Sequence, residues 1–274
     1  MPQLSVIIPT CHRNDFLVAC LDRLQPGVQQ LDSAAYEVIV ADDGQTSTAQ
    51  QLIAERYPWV RWVKGPQKGP AANRNAGARA ALGPWLVFTD DDCLPDAGWL
   101  SAYANAMAAN ETITVFEGKT TADRQRRRYD EGAPINETGG FLWSCNFAIS
   151  ALAFSKLGGF DERFPYAAME DVDFAMRVKA QHISMLFLPE ALVVHPVRQM
   201  GPNKYVDFYK SYVCFTHKYE QVGLGFRAER FRQLFVSFFR QSSQLIHFQF
   251  RGWRSFLSEH AFIIKTIFMP SKPV

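Results

Sequence analysis

Three short apolar runs in this chain each close on polar residues: LSVIIPT (4–10), YEVIVADD (36–43) and WLVFTDDD (85–92). Runs of this length, apolar without alternation, read as strands buried on both faces. The segments between them carry helical spacing and end signals, and strands alternating with helices specify a doubly wound, mostly parallel α/β sheet. On such sheets ligands bind beyond the carboxyl ends of the strands. Pro9-Thr10, Asp42-Asp43 and Asp90-Asp91-Asp92 therefore converge on one candidate site.

The pattern predicts strands over Leu4–Pro9, Tyr36–Ala41, Val60–Val63 and Trp85–Thr89, and helices over Phe16–Leu24, Thr48–Tyr57, Gly69–Leu82 and Trp99–Ala109. Pro70 in a first turn and Gly83 past the end punctuate the third helix. Beyond residue 115 the alternation loosens. Strands are expected at Val115–Lys119, Cys145–Ser150, Ile183–Leu188 and Ala191–Val194, and helices at Ala151–Leu157 and Glu170–Ala180.

Charge divides the chain. Residues 1–197 carry 17 Lys+Arg against 23 Asp+Glu, whereas 198–274 carry 12 against 4 and hold 12 of the 22 phenylalanines. The two parts are expected to meet different partners. Five cysteines without a C-x-x-C pair argue against a disulfide framework or structural zinc and fit a reducing cytoplasm. The start has no signal-peptide pattern, and no run approaches the ~20 apolar residues of a transmembrane helix.

Three aspartates after a buried strand are costly unless something neutralises them. In extended backbone Asp90 and Asp92 would point one way and Asp91 the other. Two carboxylates on one side suit Mg²⁺, which takes its remaining ligands from phosphates and water. A solvated turn capping the next helix is the structural alternative. Asp42-Asp43-Gly44 likewise reads either as an ordinary turn or as carboxylates offered to a base or ribose.

Six segments occur in order: SVIIPT (5–10), VIVADDG (38–44), KGPAANRNAGARAA (68–81), FTDDDCLP (88–95), GGFDERFP (158–165) and MEDVDFAMR (169–177). Together they resemble the family 2 glycosyltransferases over roughly residues 4–197. The resemblance implies a GT-A fold: a Rossmann-like, doubly wound mixed sheet, here with a C-terminal helical extension. It implies inverting transfer of a sugar from a nucleotide-diphosphate donor with Mg²⁺ or Mn²⁺. A catalytic domain is expected over 1–200, its nucleotide-sugar half about 1–115 and its acceptor half about 116–200, with a basic, aromatic extension over 201–274. The resemblance places Thr10, Asp42 and Asp43 at the base and ribose and Arg74 in the nucleotide-holding motif. Asp90 would reach the ribose or sugar, with Asp91 beside it in the donor-binding set, and Asp92 would ligate the metal. Gln45 departs from the serine usual after D-D-G.

Inverting transfer needs a base for the acceptor hydroxyl. By resemblance this is Asp171, with Glu170 the second candidate, although acids in a first turn also complement the helix dipole. Asp173 and Arg177 have the spacing of an ordinary surface pair. His195, closing ALVVH, would be the second metal ligand, or otherwise a packed residue. Trp143 and Asn146 are expected to line the acceptor pocket. Arg124, Arg126, Arg127 and Arg128 read as a solvated basic loop or a contact for acceptor phosphate.

Within Arg230–Phe250, Phe231, Leu234, Phe235, Phe238, Phe239, Leu245 and Ile246 fall at helical spacing, with cations mostly elsewhere. The segment 226–268 would either pack in the protein or a homodimer, or lie in the plane of an anionic membrane. The expected setting is the cytoplasm, on the cytoplasmic face of the plasma membrane, with a glycan or lipid-linked acceptor. A UDP-sugar is the expected donor, with dTDP and GDP open. No nucleic-acid motif is present. A sugar nucleotidyltransferase would place a glycine-rich loop after the first strand, where this chain has PTCHRNDF. A non-catalytic scaffold would be expected to have lost Asp92 or Asp171.

Overall fold

The computed structural model describes residues 1–46, 49–219 and 224–268. The expected helix start at Thr48, residues 269–274 of the expected extension, and several side chains between 202 and 233 (Arg230 and Gln233 among them) lie outside the described set.

Contacts divide the chain into two compact units, the first formed by Met1–Asp123 with Pro134–Pro196. Its strands are β1 (Leu4–Thr10), β2 (Tyr36–Asp42), β3 (Val60–Lys64), β4 (Trp85–Thr89), β5 (Leu94–Pro95) and β6 (Val115–Ala122). The two-residue β7 (Glu131–Gly132) belongs to the second unit, and β8 (Asn146–Ser150) and β9 (Met185–His195) return to the first. The sheet order is β3-β2-β1-β4-β8-β6-β9-β5. The first four strands run parallel, β8 runs antiparallel to both β4 and β6, and β6 is parallel to β9. From β1 the chain moves to β2 on one side and later to β4 on the other. The crevice between β1 and β4 is thus the topological switch point.

The helices are α1 (Asn14–Leu24), α2 (Ala49–Arg56), α3 (Pro70–Ala80), α4 (Trp99–Ala109), α5 (Ala151–Lys156) and α6 (Glu170–Ala180). They cover both faces, which explains the unbroken apolar strands. Val6, Ile8, Val38, Val40 and Val87 join one core layer, while Ile7, Leu86 and Phe88 join the other. The second layer is aromatic: Phe88 stacks on Phe147 at 4.8 Å, and Phe160 meets Phe174 at 4.8 Å. α3 lies close on the sheet because of Gly77, where a Cβ would stand 2.6 Å from Ile7.

The two strands expected over 183–194 are one strand, β9. Opposite Gly118 and Lys119 its register jumps from Leu188 to Leu192. Pro189, lacking an N–H, interrupts the ladder there without ending the extended backbone.

The second unit joins Arg124–Ala133 to the chain beyond Val197. β7 pairs antiparallel with β10 (Arg198–Gln199), and α7 (Pro202–Lys218), α8 (Leu224–His247) and α9 (Trp253–Ile267) follow. Its small core is Tyr129, Leu245 and Phe256, with Phe248 against it. Tyr129 donates to Glu259 at 2.5 Å, and Asp130 accepts from Arg128 and Gln199. The basic run is partly paired within this unit, while Arg126 and Arg127 are exposed. Arg124 pairs bidentately with Glu131, Arg126 lies over Phe248, and Arg128 pairs with Asp130. No helix among the described residues is long and apolar enough to cross a membrane.

Candidate active site

β1 and β2 end side by side, and α3 ties them together. Asn73 donates its side-chain amide to the carbonyls of Ala41 (2.8 Å) and Thr10 (3.2 Å). Asp42 accepts from the Gly44 N–H at 2.9 Å and so closes its own turn. Asp43 accepts from the N–H groups of Gln67 (2.8 Å) and Gly69 (3.0 Å), which fixes the loop into α3. Gly69 is obligatory there: φ is +93°, and a Cβ would lie 2.1 Å from the Pro165 carbonyl. Burial raises the Asp43 carboxyl above its ordinary range, although those N–H contacts oppose the rise.

The three aspartates do not alternate as extended backbone would make them. β4 stops at Thr89, and the Cys93 N–H returns to the Asp90 carbonyl at 3.1 Å, so Asp91 and Asp92 sit in a turn. Asp91 and Asp92 both meet Arg13, while Asp90 points to Arg74. This corrects the expectation that Asp90 and Asp92 share a side. Period-two geometry ends with the strand.

Arg74 is almost wholly buried on α3 and holds Asp90 (2.6 Å) and Glu170 (3.1 Å). It thereby links the end of β4 to the start of α6. Burial would raise Asp90, but the Arg74 guanidinium outweighs it and holds that carboxyl below the usual range. Asp91 is buried, which pushes it up to about 7 against the pull of Arg13 and of the Thr10 hydroxyl donated at 2.8 Å.

Asp92 meets Arg13, His195 and the Cys93 thiol. Its Oδ2 accepts from Arg13 at 2.9 Å, and its Oδ1 faces His195 Nε2 at 3.5 Å. The other ring nitrogen, Nδ1, lies 2.9 Å from the Pro196 carbonyl. A carbonyl only accepts, so in the neutral ring Nδ1 carries the proton and the Nε2 lone pair is turned toward Asp92. Ligand atoms of Asp92, Cys93 and His195 lie within 4.8 Å of one another. Burial holds the Cys93 thiol well above its ordinary range, Cys145 beside it adds to this, and a soft sulfur suits a hard divalent cation less well than carboxylate or imidazole. The donor set is then one carboxylate and one oriented imidazole. That set fits a divalent cation completed by phosphate oxygens and water.

At α6, Met169 takes a left-handed φ of +69° and presents Glu170 and Asp171 at the helix start. Glu170 is buried, its Oε1 on Arg74 and its Oε2 without a hydrogen-bond partner. Burial, with Asp171 adding, pushes it up to about 7. Asp171 is half-buried, accepts the Val172 N–H at 2.8 Å, and is raised by burial. Asp173 is not a surface acid. It is fully buried and paired with Arg177 at 2.9 Å.

A cavity of about 550 Å³ opens at the strand ends, lined by Thr10, Arg13, Asp43, Asn73, Arg74, Asp90 and Asp91 among others, with Asp92, His195, Glu170 and Asp171 outside its lining. Asn146, expected to line an acceptor pocket, has its side chain enclosed in the fold. It is buried, accepts from Trp99 and Tyr103, and donates to the carbonyls of Lys119 and Ala191. Trp143 donates to the Ile135 carbonyl and stacks on the exposed Phe141. Sequence reasoning missed Arg13. Its signal was a cation just after the first strand, in PTCHR.

The chain belongs to glycosyl transferase family 2, whose family model matches residues 5–158. Validoxylamine A glucosyltransferase of Streptomyces hygroscopicus subsp. jinggangensis is 26% identical over 226 residues, covering 68% of this chain and 53% of that protein. Chondroitin synthase of Escherichia coli is 28% identical over 247 residues, covering 73% of this chain and 35% of that protein. The chain thus spans about half of the first relative and about a third of the second. Among solved structures, S. aureus TarS 1–349 in complex with UDP-GlcNAc superposes with a TM-score of 0.59 at 18% identity, covering 78% of this chain and 66% of that one. The likeness is one of fold, the GT-A arrangement.

Proposed function

We propose that this chain transfers a sugar, with inversion, from a nucleoside-diphosphate donor to a hydroxyl of a glycan or lipid-linked acceptor in polysaccharide or glycolipid synthesis. The observation that carries the reading is the Asp92–His195 pair beside the 550 Å³ cavity at the β1/β4 switch point. The TarS complexes with UDP-GlcNAc and with UDP support a UDP-sugar as the donor class.

Asp92 and His195 would hold Mg²⁺ or Mn²⁺, which when bound offsets the charge of the departing diphosphate. The protein's own groups do the rest. Thr10, Asp43 and Asn73 line the cavity and would meet the base and ribose. Arg74 fixes Asp90 on one side and Glu170 on the other, so neither carboxylate drifts. Asp171 takes the proton of the acceptor hydroxyl as that oxygen bonds to the anomeric carbon and the bond to the diphosphate breaks. Its raised pKa suits a base. Glu170 is held by Arg74 and is the weaker candidate for that role.

The second unit supports docking on an anionic lipid surface. Phe231, Phe235, Val236, Phe239 and Ile246 on α8, and Trp253, Leu257 and Ile264 on α9, are exposed. Arg232, Arg240, Arg251, Arg254 and Lys265 are exposed on the same unit. Apolar rings among cations match a headgroup boundary.

The direct test is incubation with a panel of UDP-, GDP- and dTDP-sugars with Mn²⁺, following release of the nucleoside diphosphate. Turnover of one donor that stops on chelation supports the proposal. A folded protein that releases none of them, with or without crude cell-envelope acceptor, contradicts it.

A further inference from the structure

We infer that Arg13 is the group that receives the donor's diphosphate, an inference that rests on the nucleotide reading of this cavity. Its guanidinium stands just beyond β1, at the start of α1. Nη1 lies 2.9 Å from Asp91 Oδ1 and Nη2 lies 2.9 Å from Asp92 Oδ2. The group rests over the Phe16 ring, 5.0 Å from its centroid. The side chain is 34% exposed and lines the cavity.

The second arginine lining the cavity is differently placed. Arg74 is 4% exposed, and its Nη1 and Nη2 are on Glu170 and Asp90. Arg13 pairs with two buried acids while it lines the cavity and stays partly exposed. Nη2 donates to Asp92 and Nη1 forms an ion pair with Asp91, so one of the five N–H donors a guanidinium carries is used in a hydrogen bond. A planar fork fixed in this way suits phosphate oxygens. Asp92 couples it to the cation pair, with one oxygen on Arg13 and the other facing His195. An anion drawn to either group therefore meets both. Without the donor, the same guanidinium offsets the charge of Asp91 and Asp92. It is one answer to how three adjacent aspartates are tolerated.

The test is calorimetric titration of the whole chain with uridine, UMP and UDP, in EDTA and in Mn²⁺, for wild type, Arg13→Gln and Arg13→Lys. Arg13→Gln is expected to keep uridine affinity within about twofold while the UDP-to-uridine affinity ratio falls about tenfold or more, the loss of a charge-assisted hydrogen bond. Arg13→Lys is expected to recover part of that ratio, because it keeps the charge and loses the fork. A wild-type ratio in Arg13→Gln would overturn the inference and leave Arg13 as a counter-ion to the acids. Should Arg13→Gln not fold, Arg13→Lys decides: an unchanged ratio overturns the inference and a drop of about threefold or more supports it. Wild-type protein that binds neither uridine nor UDP would remove the nucleotide reading, and the inference with it.

Discussion

Arg74 and Glu170 stand 96 residues apart in sequence and 3.1 Å apart in the fold, and both are buried. This contact makes the acid pair at the head of α6 part of the same construction as the strand ends. It also separates the roles of the two acids. Glu170 is committed to a guanidinium, and Asp171 is left half-buried beside it. Asp171→Asn is expected to lower kcat by about 10²- to 10⁴-fold with nucleotide affinity kept, the range for loss of a general base. Steady-state kinetics beside UDP titration would check this. A loss confined to affinity would move the base elsewhere.

Glu170→Gln tests the other half of that division. It leaves buried Arg74 with Asp90 as its ionised partner and removes a carboxyl whose ionised form burial disfavours. Above pH 7 its thermal midpoint is therefore expected at or above that of wild type, as read by calorimetric melts. A clear fall in midpoint above pH 7 would argue that the Arg74 pair outweighs the cost of burying the carboxylate.

The pH dependence follows from the direction of these shifts. Glu170 faces Arg74 from α3, Asp171 from α6 and Asp90 from the end of β4, and its pKa is raised to about 7. A carboxyl that binds its proton more tightly folded than unfolded contributes stability at low pH. That contribution is lost as pH rises through the folded value. The nucleotide-free protein should therefore lose stability from this group between about pH 4.5 and pH 7, and Glu170→Gln should flatten that slope. Activity should move oppositely on its acid limb, falling as pH drops through the raised pKa of Asp171. An acid limb unchanged in Asp171→Glu, with stability slopes equal in wild type and Glu170→Gln, would contradict both assignments.

The strand-end acids and the alternation of the first half were legible because buried parallel strands announce themselves as unbroken apolar runs. Partnerships across 63 to 96 residues were not. Nothing local in KGPAANRNAG says that Asn73 will close on the Thr10 carbonyl or that Arg74 will reach Glu170. Asn146 misled for a related reason. An asparagine beside a tryptophan looks like a sugar contact, yet here the polar side chain is enclosed by Trp99, Tyr103 and two carbonyls. The basic run 124–128 is in part the solvated loop it reads as, with Arg126 and Arg127 exposed, but the pairing of Arg124 with Glu131 and of Arg128 with Asp130 depends on how the chain turns back and is not marked locally. The acid turn was misread because strand geometry was carried three residues past Thr89, to Asp92.

Docking on lipid predicts a specific loss. Phe235→Ser with Phe239→Ser removes two exposed rings from α8 and should cut co-sedimentation with phosphatidylglycerol vesicles about tenfold or more, leaving UDP affinity intact. Unchanged sedimentation, together with a concentration-dependent dimer that the same substitutions dissolve, would assign that surface to a second copy of the chain.

The central claim is that Asp92 and His195 hold a cation that a nucleoside diphosphate completes. The measurement that reaches it most directly is UDP titration with Mn²⁺ and with EDTA, in wild type, Asp92→Ala and His195→Ala. Wild-type affinity should fall steeply in EDTA, and both variants should show the weak EDTA value whether or not Mn²⁺ is present. Mn²⁺-dependent UDP binding of wild-type strength in either variant would contradict that ligand's assignment, and in both it would remove the claim.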